Sequence, residues 1–553
     1  MNRIMLSLTL MLVAGLLFAA GAGEQARTED IRLNPVGALP IVDEPVEMTY
    51  MLAANPNISS YEYGVNRLTT VMQDMTNVRM TIRAIAAADY TQRLNLMFAS
   101  RADLPDMVSD RSLSIDTAQM WGAQGVLKVL EDDFLQANNP NFLAALAARP
   151  MYDMLARAAD GKLYGYPQLQ PGGECYHCNP SAGLWINTRF LEELGLDMPT
   201  TTEEFRIVLQ AIRDGDPNRT GRQDTIPLIG ARTGWNSNAV EVLLNSFITW
   251  QPGGGRDGYY LDDGTVKPAF IESAYRDGLA YLNSLILEGL FDPVSFTQEA
   301  SQLEQLVVGD TQVVGVYPNG VPFHYNNEQH RDDYTHLLPL QGPDGVRYAA
   351  QGGLAFEGVG NAGHGLITTA ARYPEVAARW FDIFYADDDF SISTRWGEKD
   401  VHWRYLEPGE ESYDSRRQPI EITMLQDVWS VREPHAVHWY LNHPLASWKQ
   451  VESADWEEMD FVARMGAKSM DLVPFLVSDD KFVPPLRFFS EEIDEYNDLR
   501  AQVNTYVNEA QARFIVGDLS IQTDWDRYVS ELRAMGLDRL TELKQTAYDR
   551  VWN

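Results

Sequence analysis

Cysteine is almost absent from this chain: 553 residues carry two, Cys175 and Cys178. A scaffold held by a disulfide framework is excluded on that count alone. Basic residues are scarce too, since 44 Lys and Arg face 78 Asp and Glu and leave a formal net charge of -34. A surface so negative repels phosphate backbones and anionic headgroups at long range, so nucleic acid is not an expected partner. Long apolar runs are missing after the first residues, and with them membrane-spanning helices. The chain also lacks a G-x-S-x-G elbow, an H-E-x-x-H helix and a G-x-x-x-x-G-K-[ST] phosphate loop, which disfavours the main enzyme classes with local signatures. Carboxylate pairs for glycoside cleavage come from distant segments, and spacing cannot pick them out among so many acids.

What is present begins at the N-terminus. Arg3 precedes an apolar stretch, residues 4–18, that ends in Ala19, Ala20, Gly21 and Ala22. This is the layout of a secretory signal, expected over residues 1–22, followed by a polar leader over 23–44. With no cysteine at the cleavage region, the expected location is the periplasm, without a lipid anchor. In an oxidising compartment the two cysteines, in Gly-Gly-Glu-Cys-Tyr-His-Cys-Asn-Pro, are expected to close a small disulfide loop. Free thiols and a metal site stay open as alternatives, although His177 alone offers a further ligand nearby.

A content of 45% hydrophobic and 11% aromatic residues suits a large core, and the length calls for two lobes or more. Residues 46–53 and 80–86 read as strands, residues 89–99 as a helix, and 104–108 as a third strand, a pattern that predicts a parallel sheet with covering helices. Apolar spacing predicts amphipathic helices over 272–288, stopped by Gly289, and over 374–386, opened by Pro374. Trp380 and Trp525 fall on the inner faces of such helices and are expected in the core.

Four stretches resemble a known family: residues 160–167 (Asp-Gly-Lys-Leu-Tyr-Gly-Tyr-Pro), 184–201, 275–293, and 484–548. In this order they resemble the extracellular solute-binding proteins of family 1, in the long lipoprotein-type branch that includes alginate-binding members. The resemblance implies an α/β, two-lobed periplasmic-binding-protein-like fold of type II, with a hinge, an inter-lobe cleft and a helical C-terminal region. It divides the chain into lobe 1 at 45–165, lobe 2 at 166–350, a return to lobe 1 at 351–390, and a hinge segment with lobe 2 and C-terminal helices at 391–553. The implied function is the substrate-binding component of an ABC importer: a monomer that captures an oligosaccharide, passes it to permease subunits and performs no catalysis. A sensory solute receptor and an exported polysaccharide-degrading enzyme are the alternatives. The negative charge favours neutral saccharides over uronate oligomers.

Residues 216–225 resemble the family's calcium loop, which would coordinate through side chains of Asp216, Asn218, Thr220, Asp224 and Thr225 and the carbonyl of Arg222. Thr220 stands where Asn is usual and Thr225 where Glu is usual, and a plain Asx-type loop is the alternative. For the cleft, the expected sugar contacts are Asn55, Trp235, Trp250, Trp396 and Trp403, because pyranose C–H faces stack on rings. Trp396 and Trp403 flank a segment similar to the family's Gly-x-Glu-Gly-x-His-Trp, with Lys399 and Asp400 in place of its Glu and Gly.

Overall fold

The structure is a computed structural model. It describes residues 31–54, 58, 60–110, 113–148, 150–167, 169–171, 182–252, 257–320, 322–350, 357–359, 363, 365–386, 389–390, 393–394, 397–409, 422–425, 451–452 and 471–552.

In chain order, the first lobe opens with β1 (Val46–Ala53), α1 (Arg67–Thr76), β2 (Val78–Ile85), α2 (Ala87–Ser100), β3 (Met107–Ser109) and α3 (Ile115–Ala123). The second lobe follows with β4 (Leu184–Asn187), α4 (Thr202–Asp214), β5 (Ile226–Leu228), α5 (Ala239–Leu243), α6 (Ser273–Leu287), β6 (Val314–Pro318) and β7 (Tyr334–Leu337). The chain then returns through β8 (Leu366–Ile367) and α7 (Pro374–Asp382), and ends in α8 (Ser490–Val516), α9 (Trp525–Ala534) and α10 (Leu537–Trp552).

β1 buries Val46, Met48, Tyr50 and Leu52 on one face, and Met51 on the other reaches a second cluster with Leu94 and Phe98 of α2. A strand apolar on both sides belongs in the middle of a parallel sheet. β1 accordingly pairs in parallel with β2, from Val46↔Val78, and with β3, from Tyr50↔Met107. β8 closes the sheet antiparallel to β3, giving the order β8-β3-β1-β2. The Asn66 side chain accepts from the Thr69 N–H and starts α1, and Asn77 in the left-handed region ends it.

The second sheet has the order β7-β4-β6-β5, with β4 antiparallel to both neighbours and β5 parallel to β6. α4 begins at a capping box between Thr201 and Glu204 and buries Phe205, Val208, Leu209 and Ile212. The C-terminal helices join this lobe: Val503, Phe514, Tyr528, Leu540 and Ala547 share one core with Leu279 and Leu282 of α6.

The lobes are joined by chain segments that run side by side. Tyr166 bridges Gly365, and Leu169–Pro171 pairs antiparallel with Glu357–Val359. A further tie comes from α8 and the segment before it, which meet α3 of the first lobe. There the buried Arg487 donates to the carbonyls of Leu155 and Arg157, while the Phe488 N–H donates to the Asp116 carboxylate at 3.1 Å. Burial raises the Asp116 pKa, and the Arg487 guanidinium opposes that shift. The architecture is α/β, two-lobed, with a helical C-terminal region.

Candidate functional site

Leu184, Pro318 and Leu337 lie together at one end of the second sheet, the end at which the chain enters β4 and leaves β7. The loop from β5 to α5 lies at this end and carries Trp235. That side chain is 49% exposed, an unusual state for an indole.

Its loop is nevertheless held firmly. The Gly320 N–H donates to the Trp235 carbonyl at 3.0 Å, the Asn319 amide donates to the Ser237 hydroxyl at 2.8 Å, and the Trp185 indole N–H donates to the Asn319 carbonyl at 3.0 Å. Gly320 supports the inner face of the ring, since a Cβ there would lie 2.5 Å from the indole. Gly234 at φ +104 and Asn236 at φ 57 provide the left-handed turns that lift the ring outward. The result is an aromatic plate with one face on backbone and the rest open.

Two other expected contacts are corrected by their packing. Trp250 is 3% exposed, lies 5.0 Å from the Tyr275 ring and covers Gly258, whose added Cβ would be 2.5 Å from the indole. It belongs to the second-lobe core. Trp403 is fully buried, donates from its indole N–H to the Gly397 carbonyl at 2.8 Å and meets Tyr405 edge-on at 5.5 Å. Neither ring has a free face for a sugar. Asn55, Trp396, Cys175 and Cys178 lie outside the described residues.

The segment around Trp403 is bound to the first lobe. Arg67 at the start of α1 pairs with Glu398 at 2.8 Å, and the Glu398 N–H donates to His402 Nδ1 at 3.0 Å. Burial lowers the His402 pKa, which favours the neutral ring that this acceptor role requires. Lys399, one of the two departures from the family pattern, pairs with Asp389 at 2.7 Å.

In the 216–225 loop, the Asp216 carboxylate accepts from the Thr220 and Gly221 N–H groups, each at 2.9 Å. Asp224 accepts from the Asn218 amide at 2.8 Å and the Thr220 hydroxyl at 3.0 Å, and the bond from Asn218 leads in lowering its pKa. Asp216, Asn218, Thr220 and Asp224 are therefore joined in one hydrogen-bonded loop. Thr225 does not join them: its hydroxyl donates to the Ile212 carbonyl at 2.8 Å, which corrects its expected role as a ligand. Arg219 turns outward to Glu193 at 2.8 Å, which moves its charge off the loop. Among the described residues no group of three His, Cys, Asp or Glu is placed to hold a metal, so the donor set is poor in charge.

One residue at the same end escaped sequence reasoning. Glu241, in the first turn of α5, is half-buried and accepts from the Asn238 amide at 3.2 Å, while the Asn238 oxygen accepts from the Val240 N–H at 3.0 Å. Burial raises the Glu241 pKa and the Asn238 bond only partly offsets it. No spacing rule singles out one carboxylate among 78 acids.

No protein-family model matches the chain. It is 27% identical over 551 residues, 97% of its length and 95% of the relative's, to the fructooligosaccharide ABC transporter substrate-binding protein FusA of Streptococcus pneumoniae. It is 22% identical over 494 residues, 87% of each chain, to the polygalacturonan/rhamnogalacturonan-binding protein YtcQ of Bacillus subtilis. Among solved structures, FusA in complex with kestose superposes with a TM-score of 0.72 at 24% identity, over 91% of this chain and 99% of that one. An EF-hand mutant of FusA with fructo-nystose gives 0.71 at 23% identity, with the same coverage. An HMO binding ABC-transporter associated solute-binding protein from Bifidobacterium longum infantis gives 0.75 at 17% identity, over 92% of this chain and 99% of that one. The fold is that of two-lobed solute-binding proteins, matched along nearly the whole chain. Among the described residues no helix is long and apolar enough to cross a membrane.

Proposed function

We propose that this chain is a family 1 extracellular solute-binding protein: the exported, monomeric substrate-binding component of an ABC importer. It takes an oligosaccharide between its lobes and delivers it unchanged to membrane permease subunits. The observation that carries this reading is the Trp235 plate, half-exposed and braced by Gly320, at the end of the second sheet where the chain enters β4 and leaves β7. A sugar ring presents C–H groups to such a surface, and its hydroxyls find fixed polar partners around it. The whole-length likeness to FusA supports the importer assignment. A melting-temperature screen across neutral and acidic oligosaccharides tests it, because a ligand that binds only the folded state stabilises that state by mass action. The expected outcome is a rise in Tm with one saccharide class and recovery of that saccharide intact by chromatography. Shortened products would replace this reading with a polysaccharide-degrading activity.

The 216–225 loop, on the same reading, holds calcium as a structural brace. Asp216, Asn218, Thr220 and Asp224 would supply side-chain oxygens and Arg222 its carbonyl; with two carboxylates the affinity is weak. Millimolar calcium should raise Tm by a few degrees and EDTA should reverse it, with Asp216→Asn abolishing the response. An identical melting curve with and without calcium contradicts the brace.

A further inference from the structure

Among the described residues, several carboxylates withdrawn from water are matched. Asp257 meets Lys544 and Arg500, and Glu288 meets Arg206 and Gln210. Asp382 accepts from the N–H groups of Asn141 and Phe142. Glu241, at the sheet end that carries Trp235, differs from these. Its carboxylate has one neutral partner, the Asn238 amide, and among the described residues no Lys, Arg or His pairs with it. An ionised carboxylate offers about four acceptor positions, so most of its capacity is unused. A partly desolvated anion in that condition is costly to keep.

Glu241 shares its short segment with the aromatic plate. Asn238, its partner, follows Ser237, which is tied to Asn319 next to Gly320 under the Trp235 ring. Val242 lines a narrow cleft at the same end with Gly183, Leu184 and Leu337. The carboxylate and the indole thus belong to one short hydrogen-bonded segment, residues 235–241.

We propose that Glu241 is a ligand-contacting residue: beside the Trp235 plate, its carboxylate accepts hydrogen bonds from the hydroxyls of an uncharged oligosaccharide and its charge repels uronate oligomers. This rests on the oligosaccharide reading given above. Hydroxyl-to-carboxylate bonds are charge-assisted, shorter and stronger than neutral ones, so two such bonds satisfy the anion and orient the sugar together. A uronate carboxylate brought to the same place meets a like charge in a partly buried setting, where Coulomb repulsion is screened far less than in water. The net charge of -34 adds to that selection at longer range.

The test is isothermal titration of the full chain with kestose, maltotriose, mannotriose and trigalacturonate, repeated on Glu241→Gln and Glu241→Ala with their melting curves. The wild type should bind at least one neutral trisaccharide and discriminate against trigalacturonate by about a hundredfold, a comparison that needs no variant. Both variants should keep the wild-type Tm within a few degrees and lose about tenfold in affinity for the neutral sugar, the worth of one good charge-assisted bond. Unchanged neutral-sugar affinity in folded variants, or wild-type preference for trigalacturonate, overturns the role of Glu241 and leaves the oligosaccharide reading standing. Failure of the wild type to bind any saccharide in a wider panel overturns that reading, and this proposal with it.

Discussion

Two tryptophans in glycine-rich contexts, Trp235 and Trp250, occupy different physical situations, and the difference sets what their removal does. Trp235 rests on Gly320 and leaves half its surface to solvent, so little packing is lost when it is truncated. Trp235→Ala should therefore melt within a few degrees of wild type while oligosaccharide affinity falls about tenfold or more in a titration. Trp250 is sealed between Gly258 and Tyr275, and Trp250→Ala should cost about 3–5 kcal/mol of stability, measured by denaturant unfolding. The sequence could not separate these cases. A glycine admits close approach of a ring whether that ring then faces solvent or core, as at Trp250, while the expectation for Trp403 rests on the resemblance of its segment to the family motif, which does not report the packing of the ring. Trp380 and Trp525 were legible because each sits on the apolar stripe of a helix, and they are 0% and 7% exposed. Glu241 was illegible because its meaning lies in what surrounds it.

Among elements, those with strong periodicity followed the sequence closely. The strand expected over 46–53 is β1, the helix expected over 272–288 is α6, and the helix expected over 374–386 is α7 with a following 3-10 turn, Ile383–Tyr385. The pairing of Leu169–Pro171 with Glu357–Val359 was not legible, since strands of three residues carry too little pattern to read. The attachment of the C-terminal helices depends on a buried ion cluster that local sequence does not announce. Lys544 of α10 is fully buried and pairs with Asp257 at 2.9 Å, and Arg500 of α8 pairs with the same carboxylate at 2.8 Å. Burial pushes the Asp257 pKa up, but Lys544 and Arg500 outweigh it and hold it at about 2. A depressed folded-state pKa means that this contribution is complete above about pH 4 and is lost as pH falls through about 2. Asp257→Asn, which strands the Lys544 charge, should cost about 3–5 kcal/mol at pH 7. Its deficit relative to wild type should shrink steadily below pH 4 in acid-unfolding curves; a deficit constant from pH 6 to pH 2 would show that the cluster carries no such linkage.

For the whole molecule, the central matter is two sheets on separate cores joined by paired connecting segments and by Arg487. Such a linkage lets the lobes approach by bending a few residues while each core stays intact. Arg487→Met would leave the Leu155 and Arg157 carbonyls without their buried donor, at about 1–3 kcal/mol for each unsatisfied group, and should lower Tm without touching Trp235 or Glu241. Sugar affinity would then change through closure alone, which a slower association rate in stopped-flow fluorescence would register. Two lobes of α/β type were legible in the order of motifs along the chain. The bracing of the Trp235 loop was not, because Asn319 and Gly320 reach it only once β5 and β6 lie side by side.

Small-angle X-ray scattering of the full chain, with and without a saturating neutral oligosaccharide, tests the account most directly. The lobes should close on the bound sugar, with a measurable fall in radius of gyration, while Trp235→Ala should need about ten times the sugar concentration to reach the same closed profile. Scattering curves that superimpose when titration shows the site filled would contradict capture by lobe closure.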